Sequence, residues 1–199
     1  MNTEAEDLPS SRGQVFVFSG PSGVGKGSVI SGVLERLDGV KLSVSATTRS
    51  PRFGELDGRE YHFIERPEFE AMIANREFLE WAEVYGNLYG TPVSAVQDEL
   101  DQGNDVILEI DVQGARSVRE AMPEAVTIFV APPSIAELAE RLRVRGTDSD
   151  EVIDARLAEA AAEMNESGSF TFQIVNDDLG EAVRNAADII ERCRKERDT

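Results

Sequence analysis

An α/β fold, with a parallel sheet flanked by helices and one small mixed insertion, is predicted by three observations on the sequence. Short apolar, β-prone runs alternate with segments whose apolar residues recur at helical spacing. The first such run, Val15-Phe16-Val17-Phe18, passes through a glycine-rich turn straight into a helical pattern. From Glu60 to Gly90 the rhythm breaks into shorter strands, and beyond Gly103 it resumes.

The elements follow in order. Ser28 to Leu37 continues the first turn as a helix, with Val29, Ile30, Val33, Leu34 and Leu37 on one side. Lys41 to Ala46 reads as a second strand, followed by a turn-rich passage through Ser50-Pro51, Gly54 and Gly58. Glu60–Ile64, Leu79–Tyr85 and Asn87–Gly90 are short strands of the insertion, with a helix from Pro67 to Asn75 among them. Thr91-Pro92 has the form of a cap and first helical position for a helix reaching about Gln102, which Gly103 ends. Asp105–Asp111 is then a buried strand, Val112–Met122 a helix and Val126–Ala131 a further buried strand. Ser134–Val144 and Ser149–Met164 are helices separated by Arg145-Gly146-Thr147. Phe170–Val175 gives the last strand and Leu179–Arg194 the last helix. In such a sheet, ligands bind at the carboxyl ends of the strands, where the turn after Phe18 lies.

Composition bounds the answer. A chain of 199 residues suits one domain, expected over residues 13–199, with residues 1–12 as a polar, acidic, disordered tail. That tail lacks the apolar core of a signal peptide and no run approaches a membrane span, so a cytoplasmic protein with no membrane partner is expected. With 38 Asp and Glu against 20 Lys and Arg, the net charge of -18 argues against a nucleic-acid partner gripped by a broad basic face. Cys193 is the sole cysteine and His62 the sole histidine, so no metal site of protein ligands is expected. Cys193 falls in a helical pattern and reads as packing, and His62 as a strand residue.

The turn itself, Gly20-Pro21-Ser22-Gly23-Val24-Gly25-Lys26-Gly27-Ser28, has the spacing of a phosphate-binding P-loop. Glycines let backbone N–H groups turn inward around phosphate oxygens, and the helix N-terminus adds a favourable dipole. Lys26 supplies a point charge along the phosphates. Gly27 stands where Ser or Thr is usual in this pattern, and the hydroxyl comes one place later, at Ser28. Charge patterning agrees. Leu8 to Gly54 would hold roughly nine carboxylates at the chain-wide frequency but contains only Glu35 and Asp38, alongside Lys26, Lys41, Arg49 and Arg52. A positive basin within an acidic protein is the expectation. Glu109 and Asp111, two apart at the end of a predicted strand, are expected on one face beside the loop, with a helix-cap role for Asp111 as the alternative.

Taken together, the loop, Ser43-Val44-Ser45-Ala46-Thr47-Thr48-Arg49-Ser50-Pro51-Arg52, Glu80-Trp81 and Tyr89-Gly90-Thr91 closely resemble the guanylate kinase family. Asp111-Val112-Gln113-Gly114, Ala131-Pro132-Pro133-Ser134, Arg145-Gly146-Thr147 and Asn176-Asp177-Asp178 extend the resemblance over roughly Gln14 to Arg194. It implies ATP-dependent phosphorylation of GMP, with dGMP use left open, a GMP-binding region over about 46–91 and a helical lid over about 135–168. It implies ATP contacts along Gly20, Pro21, Ser22, Gly23, Val24, Gly25, Lys26, Gly27 and Ser28, and a contact of Asn176 near the ATP base or ribose. Arg49 and Arg52 resemble the acceptor-phosphate arginines, helped by the Tyr61 and Tyr89 hydroxyls. Glu80 resembles the guanine reader, because adjacent N–H donors of guanine suit a carboxylate that adenine would face with an acceptor. Ser45, Gly90 and Thr91 match positions near the base. Asp111 resembles an acidic residue near the magnesium and phosphates, and Glu109 stands at a position whose contact is with the acceptor nucleotide. Arg141, Arg145 and Arg156 match lid arginines that approach the transferring group, although Glu137 also stands four residues before Arg141 in ion-pairing order. Mg2+ is expected to be held through ATP phosphates and water. No obligate protein partner is expected. Two alternatives stay open, a non-enzymatic interaction module of guanylate-kinase-like fold and a kinase of another small phosphorylated molecule.

Overall fold

The computed structural model describes residues 12–84, 86–145 and 149–199; the expected tail before Arg12 and the predicted loop at 146–147 lie outside the described residues. Five parallel strands form the main sheet, in the order β2-β7-β1-β8-β9: β1 Val15–Ser19, β2 Val40–Leu42, β7 Asp105–Glu109, β8 Val126–Ala131 and β9 Phe172–Val175. Successive residues of a strand point to opposite faces, and β1 is buried on both. Phe16 and Phe18 pack with Val29, Ile30 and Val33 of α1 (Lys26–Arg36) and with Ala182, Ala186 and Ile190 of α7 (Leu179–Arg197). Val15 and Val17 pack on the other side with Val96 and Leu100 of α3 (Val93–Asp101) and Ala115 and Val118 of α4 (Val112–Ala121). Each of the buried Val, Leu, Ile and Phe side chains contributes about 1.5–3 kcal/mol by leaving water, which makes β1 a firm base for the loop it feeds. Cys193 packs in the α7 layer, as the sequence suggested.

The last helix is tied to the far end of the sheet by charge. Asp105, 1% exposed, accepts from Arg194 Nε at 2.6 Å, Arg197 Nη1 at 2.7 Å and the Gln14 backbone N–H at 2.8 Å. The last helix therefore runs three residues beyond its predicted end, and those extra residues bring Arg197 to Asp105.

A second, four-stranded mixed sheet, ordered β4-β3-β6-β5, forms the insertion. It comprises β3 Ala46–Thr47, β4 His62–Phe63, β5 Phe78–Val84 and β6 Asn87–Pro92, with α2 (Arg66–Ala74) placing Phe69 beside Ala46, Leu88 and Phe78. The predicted strand Lys41–Ala46 is in fact divided between the two sheets. Its first part pairs with β7, while Ala46 pairs with Gly90 in the insertion, and residues 43–45 cross between them. The expected Thr91 cap also gives way: β6 runs through Pro92, which itself precedes α3, and Thr91 remains a buried strand residue. Two further helices, α5 (Ile135–Arg145) and α6 (Asp150–Glu166), meet through Leu138, Leu142, Ile153 and Ala160. Among the described residues no helix is long and apolar enough to cross a membrane.

Candidate active site

The loop after β1 takes its shape from close approach. Gly20 has φ +137, and a Cβ there would lie 2.2 Å from the Val130 carbonyl oxygen of the neighbouring strand. Gly25, at φ +92, precedes α1, and a Cβ would meet the Asn176 amide at 2.6 Å. Asn176 Nδ2 donates to the Val24 carbonyl at 2.7 Å, tying the loop to the end of β9. Lys26 opens α1 and folds back along the loop, where Nζ donates to the carbonyls of Gly20 at 2.5 Å and Pro21 at 3.3 Å. Burial lowers its pKa from the ordinary lysine value, opposed by the negative charges of Glu109, Glu163 and Asp111.

A cleft of about 410 Å³ extends from Gly20, Ser22 and Lys26 past Ser43 and Ser45 to Glu109, Ile110 and Asp111. Its opposite wall is α6, through Arg156, Glu159 and Glu163. Around the loop's other side, Pro21 to Ser28 except Val24 line a second space of about 470 Å³ together with Ser31 and Glu109. The cleft is not the purely positive basin that the acid-poor segment suggests. Carboxylates from β7, α4 and α6 converge on Lys26, because the fold brings distant acidic segments over the acid-poor one.

Glu109 and Asp111 both line the cleft, but not as strand neighbours on one face. β7 ends at Glu109, and Asp111 is the N-cap of α4, where Oδ1 accepts from the Gly114 N–H at 2.7 Å. Asp111 thus caps the helix and lines the cleft beside the loop at the same time. Burial raises the pKa of Glu109, while Lys26 pulls it back down.

Ser45, Tyr61 and Glu109 to Asp111 also belong to a smaller pocket of about 150 Å³, closed by Glu80, Ala82, Val84, Tyr89 and Gly90. Glu80 and Thr91 stand opposite one another on β5 and β6, next to a register irregularity between Phe78 and Glu80. Glu80 is 9% exposed, and burial raises its pKa, partly offset by the Thr91 hydrogen bond and reinforced by nearby Asp111. α4 comes close at Gly114, where a Cβ would lie 3.1 Å from Glu80 Oε2. A concave, recessed carboxylate beside a phosphate cleft can accept two N–H donors from a planar base while the base's phosphate stays in the larger space.

Arg49 lies next to Tyr61, a wall of this pocket; it pairs with Glu55, and its guanidinium carbon is 5.5 and 5.7 Å from the Tyr61 and Phe63 ring centroids. Tyr61 and Tyr89 meet edge to face with centroids 5.8 Å apart. Arg52 has an exposed side chain, and its backbone N–H donates to Glu55 Oε2 at 2.7 Å. Of the three arginines expected in a lid, Arg156 lines the cleft. Arg141 is held to one side, with Nη1 donating to the Asn176 carbonyl at 2.9 Å and Nε 3.6 Å from Glu137. Arg145 ends α5, and its side chain lies outside the described residues. Asn176 is 6% exposed and braces the loop from behind through Val24. Glu55, Glu159 and Glu163 were missed by sequence reasoning. The spacing of Arg156, Glu159 and Glu163 at i, i+3 and i+7 carries the signal for one helical face, and Glu55 is the first carboxylate after the acid-poor segment.

Comparison with known proteins agrees with this geometry. The sequence model of the family described as "Guanylate kinase" matches residues 12–193. A guanylate kinase of Dechloromonas aromatica (strain RCB) is 55% identical over 171 residues, covering 86% of this chain and 85% of its own. One from Synechocystis sp. is 48% identical over 186 residues, covering 94% and 97% respectively. The crystal structure of guanylate kinase from Anaplasma phagocytophilum superposes with a TM-score of 0.74 at 37% identity, over 94% of this chain and 87% of that one. Matched by the family model over residues 12–193 and 55% identical to one relative over most of both chains, this chain belongs to the guanylate kinase family.

Proposed function

We propose that this protein transfers the γ-phosphoryl group of ATP to a phosphate oxygen of GMP, yielding ADP and GDP. The observation that carries the reading is the buried Glu80 carboxylate in a base-sized pocket that opens, along Glu109 to Asp111, into the cleft beside the P-loop. Glu80 reads the guanine edge, with Thr91 orienting it and Ser45 and Gly90 forming the adjoining wall. Arg49, Arg52, Tyr61 and Tyr89 hold the acceptor phosphate, whose oxygen attacks the γ-phosphorus as the bond to the ADP oxygen breaks. Lys26 and the loop amides from Gly20 to Ser28 hold the donor phosphates. Arg141, Arg145 and Arg156 are the lid's charges for the transferring group, and Asn176 keeps the loop in place for ATP.

The oxygen donors around the loop, Ser28, Glu109 and Asp111, fit a hard cation such as Mg2+. Bound with ATP, Mg2+ would neutralise phosphate charge, held by the phosphates and by water at these residues. Residues 13–199 act as one domain in this reading, with 46–91 as the GMP-binding region and 135–168 as the lid, and with the cytoplasm as the setting. The test is ADP formation from ATP and Mg2+ with GMP, dGMP, AMP, dTMP or ribose bisphosphate supplied separately. Turnover selective for GMP is expected, while a folded protein inactive with every acceptor would overturn the proposal.

A further inference from the structure

Arg49 carries five N–H donors in a planar fork, and most are already engaged. Nη1 donates to Glu55 Oε2 at 3.0 Å and to the Ser50 carbonyl at 2.8 Å, and Nη2 donates to Glu55 Oε1 at 2.9 Å. Glu55 therefore grips the end of the fork in a bidentate pair, and the Arg52 N–H holds Glu55 Oε2 at 2.7 Å. Both partners are largely enclosed, with side chains 14% and 18% exposed. The rings of Tyr61 and Phe63 flank the guanidinium. What stays unclaimed by these bonds is the fork's other edge, Nε and the second Nη2 hydrogen. Tyr89, which also lines the base pocket, stands beside the guanidinium.

We propose that Glu55 is a positioning residue of the acceptor site, holding Arg49 by one edge so that its other edge is presented to the acceptor's phosphate. The inference rests on the assignment of Arg49 to that phosphate. An arginine left unpaired in this loop would sample many rotamers, and ordering it would weaken acceptor binding. Clamped by Glu55 and flanked by two rings, it is already ordered. The same carboxylate removes much of the local positive charge, so an acceptor has to match the geometry of the free edge and not merely carry negative charge. Glu55 touches neither substrate, and its effect reaches the reaction only through Arg49.

Glu55→Ala and Glu55→Gln would be compared with wild type and with Arg49→Ala and the double variant Arg49→Ala/Glu55→Ala. Steady-state kinetics would give KM for GMP and ATP, calorimetry the affinities for GMP and guanosine, and thermal unfolding would confirm the fold. Expected is a rise in KM for GMP on the order of tenfold in Glu55→Ala, less in Glu55→Gln, with KM for ATP and guanosine affinity unchanged. Losing Glu55 should cost nothing further once Arg49 is absent. A GMP KM that stays level or falls, additive losses in the double variant, or an equal loss of guanosine binding would each overturn the inference. If wild type turns over GMP and Glu55→Ala behaves like it, only this inference fails. A folded wild type without GMP turnover would remove the functional reading and this inference with it.

Discussion

Across β5 and β6, the Thr91 hydroxyl donates to Glu80 Oε1 at 2.6 Å in a buried contact. The bond fixes one carboxylate oxygen and favours its charged form, the form that the proposed reading of a guanine edge uses. Thr91→Val keeps the shape and removes the donor. It should lower kcat/KM for GMP about tenfold, the scale set by one hydrogen bond to a charged group. It should also shift the acid limb of the GMP pH profile upward, since Glu80 would protonate more readily. An unshifted limb would separate Thr91 from base reading.

The raised pKa of Glu80 gives two opposite trends. For binding, GMP selectivity should fall as pH drops through the raised value, which lies above the ordinary 4.5, because protonated Glu80 presents a donor to a donor. For folding, a raised folded pKa contributes stability that is fully present below 4.5 and is lost as pH rises through the folded value. Glu80→Gln should therefore unfold at a higher temperature than wild type near neutral pH, an advantage that disappears in acid, while losing preference for GMP. Asp111, the neighbouring acid that raises Glu80, stays in place in this comparison.

Lys26 spans the loop on two backbone carbonyls and is not a core residue. Lys26→Ala should reduce kcat by roughly 10² to 10³, as removal of one charge-stabilising donor does elsewhere. Its unfolding temperature should stay close to wild type. Near-normal turnover would take Lys26 out of the proposed mechanism.

Asp105 lies at the end of the sheet away from the loop, where it binds two arginines and a backbone amide. Asp105→Ala leaves Arg194 and Arg197 without their buried partner and should cost about 3–5 kcal/mol in urea unfolding. Turnover per folded molecule should not change, since nothing in the active site touches this cluster.

Much of this was legible in the sequence for physical reasons. Strand, glycine turn and helix announce themselves through local chemistry, so Val15 to Arg36 and the loop were read with only small errors at the ends. Glu80 was legible as a functional residue only through resemblance, because an isolated Glu in a polar strand has no periodic signal of its own. The division of Lys41–Ala46 between two sheets was not legible, since an apolar-polar alternation does not say which partner strand pairs with it. Thr91-Pro92 imitates a helix start, but tertiary pairing with Glu80 keeps Thr91 in the strand. Glu55 escaped notice because its partner is defined by loop geometry six residues away.

The crossing at residues 43–45 has a mechanical consequence. Apart from that passage, the chain enters or leaves the small sheet only where β6 gives way to α3, at Pro92 and Val93. Ala46 is paired with Gly90, so the two passages lie side by side. Any rotation of the small sheet against the large one has to be absorbed there, and a pivot displaces its own residues least. Ser45 and Thr91 are the neighbours of that pair, and the Ser45 carbonyl accepts from the His62 N–H at 2.9 Å, which holds Tyr61 beside the same passage. A pivot built this way would carry Ser45, Tyr61, Tyr89 and Gly90 as one unit, so the small pocket would keep its shape while its distance to the glycine loop changes.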